Sequence, residues 1–314
     1  MIATLIIPCY NEEENIYNFV ELCKNTLSKY EKVKFEYIFI NDGSTDSTQA
    51  VIEQIMTDNE ELDITAICFS RNFGKEAAMI AGLDKSRGDF VSIIDADLQQ
   101  NPKYIMEMID FLLDNPEYDS VACYQESRKE NIVTTFFKNG FYKLINYISD
   151  VKFQPNASDF RTLRRNVVDS ILQVREYHRF SKGIFAWVGY KTKFLPYTVE
   201  KRRAGRTSWS FLGLIKYAKI GIVGFSTAPL KLAIHLGAVI ITFSFIHLIY
   251  IIIAKLVFDS IKVPGYATII SLILFLSGIQ IFLIGVIGEY LAQVFIQVKN
   301  RPLYIVKFTK STRH

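Results

Sequence analysis

The chain has little cysteine and none of the spacings that put cysteine to chemical use. Cys9, Cys23, Cys68 and Cys123 lie far apart, with no C-x-x-C pair and no histidine nearby. That argues against a zinc site or a disulfide framework and for small buried hydrophobes in a reducing compartment. Glycine-rich phosphate loops are also missing: no G-x-G-x-x-G follows the first apolar run, and no G-x-x-x-x-G-K-[ST] occurs. Dinucleotide folds and P-loop nucleotide folds are therefore disfavoured. With 16 glycines and 8 prolines in 314 residues, collagen-like and low-complexity classes are excluded. The opening MIATLIIPCY has no basic segment ahead of its short apolar run, so it reads as a first β-strand rather than a signal peptide. Charge is scarce as well, at 22% against 50% hydrophobic residues, with a mean hydropathy of +0.16. This is too apolar for a disordered chain and slightly too apolar for an ordinary soluble one of one or two domains.

Acid is absent from two stretches. Residues 201–231 hold Lys201, Arg202, Arg203, Arg206, Lys216, Lys219 and Lys231, and residues 299–314 hold Lys299, Arg301, Lys307, Lys310 and Arg313, without one Asp or Glu. The net charge is only +4, so the rest of the chain is acidic. A nucleic-acid-binding protein is not usually built this way, whereas a protein with membrane-flanking segments is.

The long apolar runs fit that reading. Residues 232–254 (LAIHLGAVIITFSFIHLIYIIIA) and 267–287 (ATIISLILFLSGIQIFLIGVI) contain no charged side chain, over 23 and 21 residues. At about 1.5 Å per residue each can cross a hydrocarbon layer of about 30 Å. The short connection carries Pro264-Gly265, so the two spans form a hairpin. His235, His247 and Gln280 inside them read as neutral groups bonded across the helix pair. Gly278, Gly285 and Gly288 offer a surface on which copies of the chain could pack as a homo-oligomer. The basic excess flanks the pair, which by the positive-inside rule places both chain ends in the cytoplasm at the cell membrane.

Ahead of the spans, β-branched runs (Ala3–Ile7, Phe35–Ile40, Ile64–Phe69, Phe90–Ile94, Ser120–Cys123) alternate with amphipathic stretches near Glu13–Ser28, Thr45–Met56, Lys75–Lys85 and Pro102–Leu113. Ser44 or Thr45 is placed to cap the second helix, and Pro102 suits a first helical turn. Strand–helix alternation predicts an α/β layer with a mostly parallel sheet, which binds ligands beyond the C-terminal ends of its strands. Four runs in succession end in polar sequence: PCYNEE, NDGSTD, SRNFGKE and DADLQ. Asp95 and Asp97, two residues apart, are expected to point the same way, where they repel unless a cation lies between them. They read either as Mg²⁺ or Mn²⁺ ligands completed by substrate phosphates or as solvated turn aspartates. Asp42 alone reads as a turn and helix-cap residue.

Together, PCYNEEEN, INDGSTDST, SRNFGKEAAMIAGL and DADLQQNP resemble glycosyltransferase family 2, whose catalytic domain has the Rossmann-like GT-A fold. Ser158–Arg161 resembles that family's DFR segment, Arg179–Gly183 its RF-x-[RK]-G segment, and Arg203–Gly205 followed by Trp209 its R-x-A-G segment. With two spans after Ala228–Lys231, the layout resembles the bactoprenol and other polyprenyl-phosphate glycosyltransferases and dolichol-phosphate mannose synthase. The resemblance implies that Pro8, Tyr10, Glu12, Asp42, Lys75 and Asp95 bind a nucleotide sugar, with Asp42 reading the base or ribose. It implies that Asp95, Asp97 and Gln99 surround a Mg²⁺ or Mn²⁺ ion, that Asp159 and Arg161 face the acceptor, and that Arg128 and Arg203 hold phosphates. The chain departs from the pattern at Asn41, at Tyr124 and Gln125 ahead of Arg128, and at Thr207-Ser208.

Four regions are expected: a cytoplasmic catalytic domain over 1–200, a basic amphipathic juxtamembrane segment of interfacial helices over 201–231, the two spans within 232–287, and a basic tail over 288–314. In the juxtamembrane segment Trp209, Phe211, Leu214, Ile215 and Ile222 interleave with Lys216 and Lys219, a pattern suited to bringing a lipid head group to the site. The expected reaction is inverting transfer of one sugar, from UDP-glucose or UDP-N-acetylglucosamine before a mannose donor, to a polyprenyl phosphate. A processive polysaccharide synthase would need more spans and a Q-x-x-R-W segment; a non-catalytic nucleotide-sugar binder would not need intact Asp95, Asp97 and Gln99. Two uncharged helices give no polar path for translocating lipid. For topology, a reporter fused at His314 should be cytoplasmic and a tag near Pro264 should be labelled from outside; the reverse labelling pattern would overturn the orientation read from charge.

Overall fold

In the computed structural model, residues 1–125, 157–198, 226–258 and 265–313 are described, with a few isolated positions between them. Arg128, Arg203, Thr207 and Ser208, and all but the last residues of the basic stretch 201–231, lie outside the described residues. In chain order the elements are β1 (Ile2–Cys9), α1 (Ile16–Leu27), β2 (Lys34–Asn41), α2 (Thr48–Asp58), β3 (Asp63–Phe69), α3 (Lys75–Lys85), β4 (Phe90–Ile93), α4 (Lys103–Asp114), β5 (Ser120–Gln125), β6 (Ala157–Arg164), α5 (Arg165–Gln173), α6 (Ser181–Trp187), β7 (Thr192–Tyr197), α7 (Ala228–Phe258), α8 (Tyr266–Val298) and β8 (Val306–Ser311).

Eight strands form one sheet in the order β7-β5-β6-β4-β1-β2-β3-β8. The centre, β4-β1-β2-β3, is parallel throughout. The flanks are mixed: β6 runs antiparallel to β4 and β5, β7 parallel to β5, and β8 antiparallel to β3. Alternate residues of each central strand are buried on opposite faces, as a two-residue period demands. Leu5, Ile7 and Phe39 pack with Phe19, Ile52 and Ile109 of α1, α2 and α4 on one face. Ile6, Ile38 and Ile40 pack with Ala78, Ile80, Val168 and Ile184 of α3, α5 and α6 on the other. The layering is therefore helix, sheet, helix. Gly82 lets α3 lie directly on Ile6 and Ile40, because a Cβ there would collide with the Ile6 side chain. From β1 the chain winds outward to β2 and β3, then returns through α3 to β4 on the other side of β1. That reversal is a switch point, where the loops after β1 and β4 diverge and leave a crevice.

Local details differ from the sequence expectation at α2 and in the last residues. Helix α2 begins at Thr48, and neither Ser44 nor Thr45 caps it. The Thr48 amide donates instead to Asp46 Oδ1 at 3.0 Å, while Ser44 Oγ accepts from the Asn11 amide at 3.0 Å. The basic residues after α8 include β8, which extends the sheet beside β3, with Lys310 paired to Glu53 and Arg313 to Asp63, each at 2.6 Å. Before β8, Tyr304 stacks on Phe69 with ring centroids 5.1 Å apart. This strand covers what would otherwise be an unpaired β3 edge.

Helices α7 and α8 run for 31 and 33 residues, and both are long and apolar enough to cross a membrane. Large apolar side chains such as Ile234, Phe243, Phe275 and Phe282 are exposed on them, as a lipid-facing surface requires. Both exceed the about 20 residues a bilayer needs, so α8 continues past its apolar run toward β8. There the Tyr290 hydroxyl donates to the Ser226 carbonyl at 2.8 Å, joining α8 to the chain just before α7.

Candidate active site

The loops after β1 and β2 are stitched together. Asn11 is in the left-handed region (φ 55), and its Oδ1 accepts from the Thr45 amide at 2.9 Å. The Glu12 amide donates to Thr48 Oγ1 at 2.9 Å, and the Ser47 amide to Glu13 Oε2 at 2.8 Å. Pro8 ends up beside Ile40 at the ends of β1 and β2, Tyr10 is exposed, and the Glu12 carboxylate accepts from Asn15. The buried Cys9 thiol beneath them is pushed well up, first by burial and then by Glu12, Asp95 and Asp46, so charge from both sides of the crevice converges over it.

Asp42 is buried and does two things the sequence did not show. Its Oδ1 accepts from the Phe73 amide at 2.6 Å and its Oδ2 from the Gly74 amide at 2.9 Å. Burial raises its carboxyl, and the two amides and Arg71 oppose the rise. It therefore clamps the loop that leads into α3. Gly43, at φ 65, allows this close approach, because a Cβ there would meet the Arg71 backbone.

Helix α3 then delivers Lys75 to the crevice. Its Nζ lies 2.6 Å from Asp95 and 3.5 Å from Asp159. Burial alone would lower this ammonium, but Asp95, Asp159 and Asp97 outweigh it and raise it above the ordinary lysine value. Asp95 is also held by Gln100, whose Nε2 donates to Oδ2 at 3.0 Å and whose Oε1 accepts from the Asp95 amide. Strand β4 ends at Ile93, so strand alternation does not orient Asp95 and Asp97. A turn does so, with Leu98 at φ 60 and the Gln99 amide donating to Asp97 Oδ1 at 3.1 Å.

Among the described residues no three His, Cys, Asp or Glu side chains converge on one point. What the turn offers is two carboxylates, Asp95 and Asp97, with Gln99 beside them. That set fits Mg²⁺ or Mn²⁺ only where substrate phosphates complete the oxygen ligands, which is how such ions are usually held at phosphate sites.

Across the crevice, β6 presents Asp159 and Arg161 on either side of Phe160, which is fully buried against Tyr104 and Tyr197. Asp159 Oδ1 has no hydrogen-bond partner among the described residues. Burial would raise its carboxyl, yet Lys75, Lys182 and Arg161 hold it below the usual carboxylate range. Arg161 is buried, donates to the Ser158 carbonyl at 3.0 Å and stacks its guanidinium over Phe185 of α6 at 3.6 Å. The site thus brings together Lys75, Asp95, Asp97, Asp159 and Arg161.

Sequence reading missed Glu76. Its carboxylate accepts from both the amide and the hydroxyl of Ser181. Burial and Asp159 push it up to about 7, against opposing Ser181 bonds and Arg179. The available signal was an acid directly after Lys75 in the first turn of a helix, where carboxylates are favoured.

Comparison with known proteins agrees with this fold. The pattern of "Glycosyl transferase family 2" matches residues 4–172, and that of the "GtrB C-terminal hairpin" matches residues 228–294. A protein of Synechocystis sp. named "Uncharacterized glycosyltransferase sll0501" is 40% identical over 96% of this chain and 94% of its own. The "Prophage bactoprenol glucosyl transferase homolog" of Escherichia coli is 37% identical over 99% of this chain and 100% of its own. The "Bactoprenol glucosyl transferase" of Shigella phage SfII is 37% identical over 98% of each.

The raised Glu76 carboxyl has a measurable sign. A group whose folded pKa lies above its unfolded value stabilises below the unfolded value, and that stability is lost as pH rises through the folded one. Here the window runs from the ordinary value of 4.5 to about 7. Glu76→Gln should therefore melt together with the parent at pH 4.5 and above it at pH 8, in thermal unfolding. A gap that is the same at both pH values would contradict the burial of this carboxyl.

Proposed function

Because the chain belongs to glycosyl transferase family 2, we propose that it moves a single sugar from a nucleotide sugar to a polyprenyl phosphate, with inversion, at the cytoplasmic face of the cell membrane. The observation that carries this reading is one crevice holding both an acidic turn, Asp95 and Asp97, and the pair Asp159 and Arg161, bridged by Lys75 and tethered to two membrane-length helices. Full-length similarity to proteins named bactoprenol glucosyl transferases supports a lipid-phosphate acceptor; the donors we propose are UDP-glucose or UDP-N-acetylglucosamine. The product is a lipid-linked sugar phosphate for use in the cell envelope.

The chemistry asks little of a base. A phosphate monoester has its second pKa near 6 and is mostly dianionic at neutral pH, so it is already a nucleophile. Asp159, held below the usual carboxylate range, is a weak base and serves to orient the acceptor and its arginine. Arg161 offers a guanidinium fixed by Phe185, a geometry suited to phosphate. Arg128 and Arg203 belong to the same phosphate-holding set. Pro8, Tyr10, Glu12 and Asp42 form the nucleotide side, Asp42 by shaping the loop between Arg71 and Gly74 as well as by any contact to base or ribose. Mg²⁺ or Mn²⁺, held by Asp95 and Asp97 beside Gln99 together with the donor phosphates, would supply neutralisation of the charge that develops on the leaving nucleoside diphosphate. Lys75 adds a fixed positive charge between donor and acceptor sides, so that two anionic substrates can be brought together.

Purified protein in lipid should release nucleoside diphosphate only when a nucleotide sugar and polyprenyl phosphate are both supplied, one sugar per lipid. Asp97→Asn, or chelation of divalent ions, should lower turnover on the order of a hundredfold or more while the protein stays folded. Undiminished turnover under both treatments would remove the metal from the account, and release without lipid phosphate would remove the acceptor.

A further inference from the structure

The chain between α5 and α6 is pinned at both ends. At one end Gln297, in the last turn of α8, accepts from the Tyr177 amide at 2.9 Å and donates to the Arg175 carbonyl at 3.0 Å. Arg175 makes a two-pronged ion pair with Asp84 at 2.6 and 2.9 Å, and the Tyr304 hydroxyl donates to the same carboxylate at 2.8 Å. At the other end Ser181 opens α6 and gives both its amide and its hydroxyl to Glu76. Between them the buried Arg179 closes on the Val174 carbonyl. Helix α6 then carries two groups toward the site: Phe185 under Arg161, and Lys182, whose charge acts on Asp159.

Glu76 is next in the chain to Lys75, yet its side chain serves a different element. Lys75 goes to Asp95 and Asp159, and Glu76 goes to the start of α6. We propose that Glu76 is a positioning residue: it holds α6 in register with Lys75, so that Arg161 and Lys182 receive the acceptor phosphate at a set place relative to the donor. This rests on the reading of Asp159 and Arg161 as the acceptor side. A role in stability alone would give no reason for one substrate constant to change more than the other. The second pin, from Gln297, places the same segment against the helix that continues from the membrane span, which gives the lipid-borne substrate a fixed approach.

The test measures apparent KM for polyprenyl phosphate and for the nucleotide sugar with the full-length protein in lipid. Glu76→Ala removes the acceptor of the Ser181 bonds and should raise the lipid KM about tenfold or more, with the nucleotide-sugar KM within about twofold of the parent. Glu76→Gln keeps an oxygen for Ser181 and should recover most of the loss. Equal changes in both constants, or a change only on the nucleotide side, would overturn the proposal. If Glu76→Ala shows no cooperative melting, Ser181→Ala decides: a smaller rise confined to the lipid constant supports the role, and no rise overturns it. A parent protein that forms no lipid-linked sugar from any nucleotide sugar overturns the acceptor reading itself, and this role with it, before any variant is compared.

Discussion

A single ammonium group organises the crevice. Asp95 stands at the end of β4 and Asp159 on β6, the strand next to it, and their charges repel across a partly buried gap. Lys75 resolves this by entering from α3 and pairing with both. Its own position is unfavourable by local rules, because a cation in the first turn of a helix opposes the helix dipole. The two carboxylates outweigh that cost. The consequence is two carboxylates held at a fixed separation by one opposite charge, which on the proposed function become the donor and acceptor sides.

Everything around that charge limits movement. Asp42 gives both of its oxygens to the amides just ahead of Lys75, so the helix start cannot drift from β2. The loops after β1 and β2 are tied to one another through Asn11, Glu12 and Glu13. Glu76 ties the same helix start to α6, and β8 closes the far edge of the sheet with residues that follow α8 directly. The sheet is thus gripped from both ends of the chain, by its own first strands and by the strand beyond the two long apolar helices.

The parallel half of this fold was legible because its strands are continuous apolar runs with turn residues after them, and α1, α2 and α4 carry a helical period, while α3 is buried without a break from Ala77 to Leu83. The other half was legible only at β5, whose run Ser120–Cys123 was expected. Strand β6 reads ASDFRTLR, where Asp159 and Arg161 alternate with buried Phe160 and Thr162, so site residues masked the strand pattern. Strand β7 contains Pro196, and β8 reads VKFTKS, which resembles a solvated basic tail until its pairing with β3 is seen. The spans were legible in their apolar centres, while α7 and α8 extend past them because helix continues where polar residues no longer signal membrane. At the site, the residues expected to bind substrate were named from motif order. The residues that act through others, Glu76, Ser181 and Gln100, could not, since their partners lie far along the chain or in an unreadable turn.

The central claim is that Lys75 serves both sides of the crevice at once, and Lys75→Gln measures it directly. If one ammonium joins donor and acceptor, kcat/KM should fall for the nucleotide sugar and for polyprenyl phosphate together, each by roughly tenfold or more for the loss of a charged contact. A fall confined to one substrate, with the other unchanged, would show that the ion pairs with Asp95 and Asp159 are separate in function and would contradict the account.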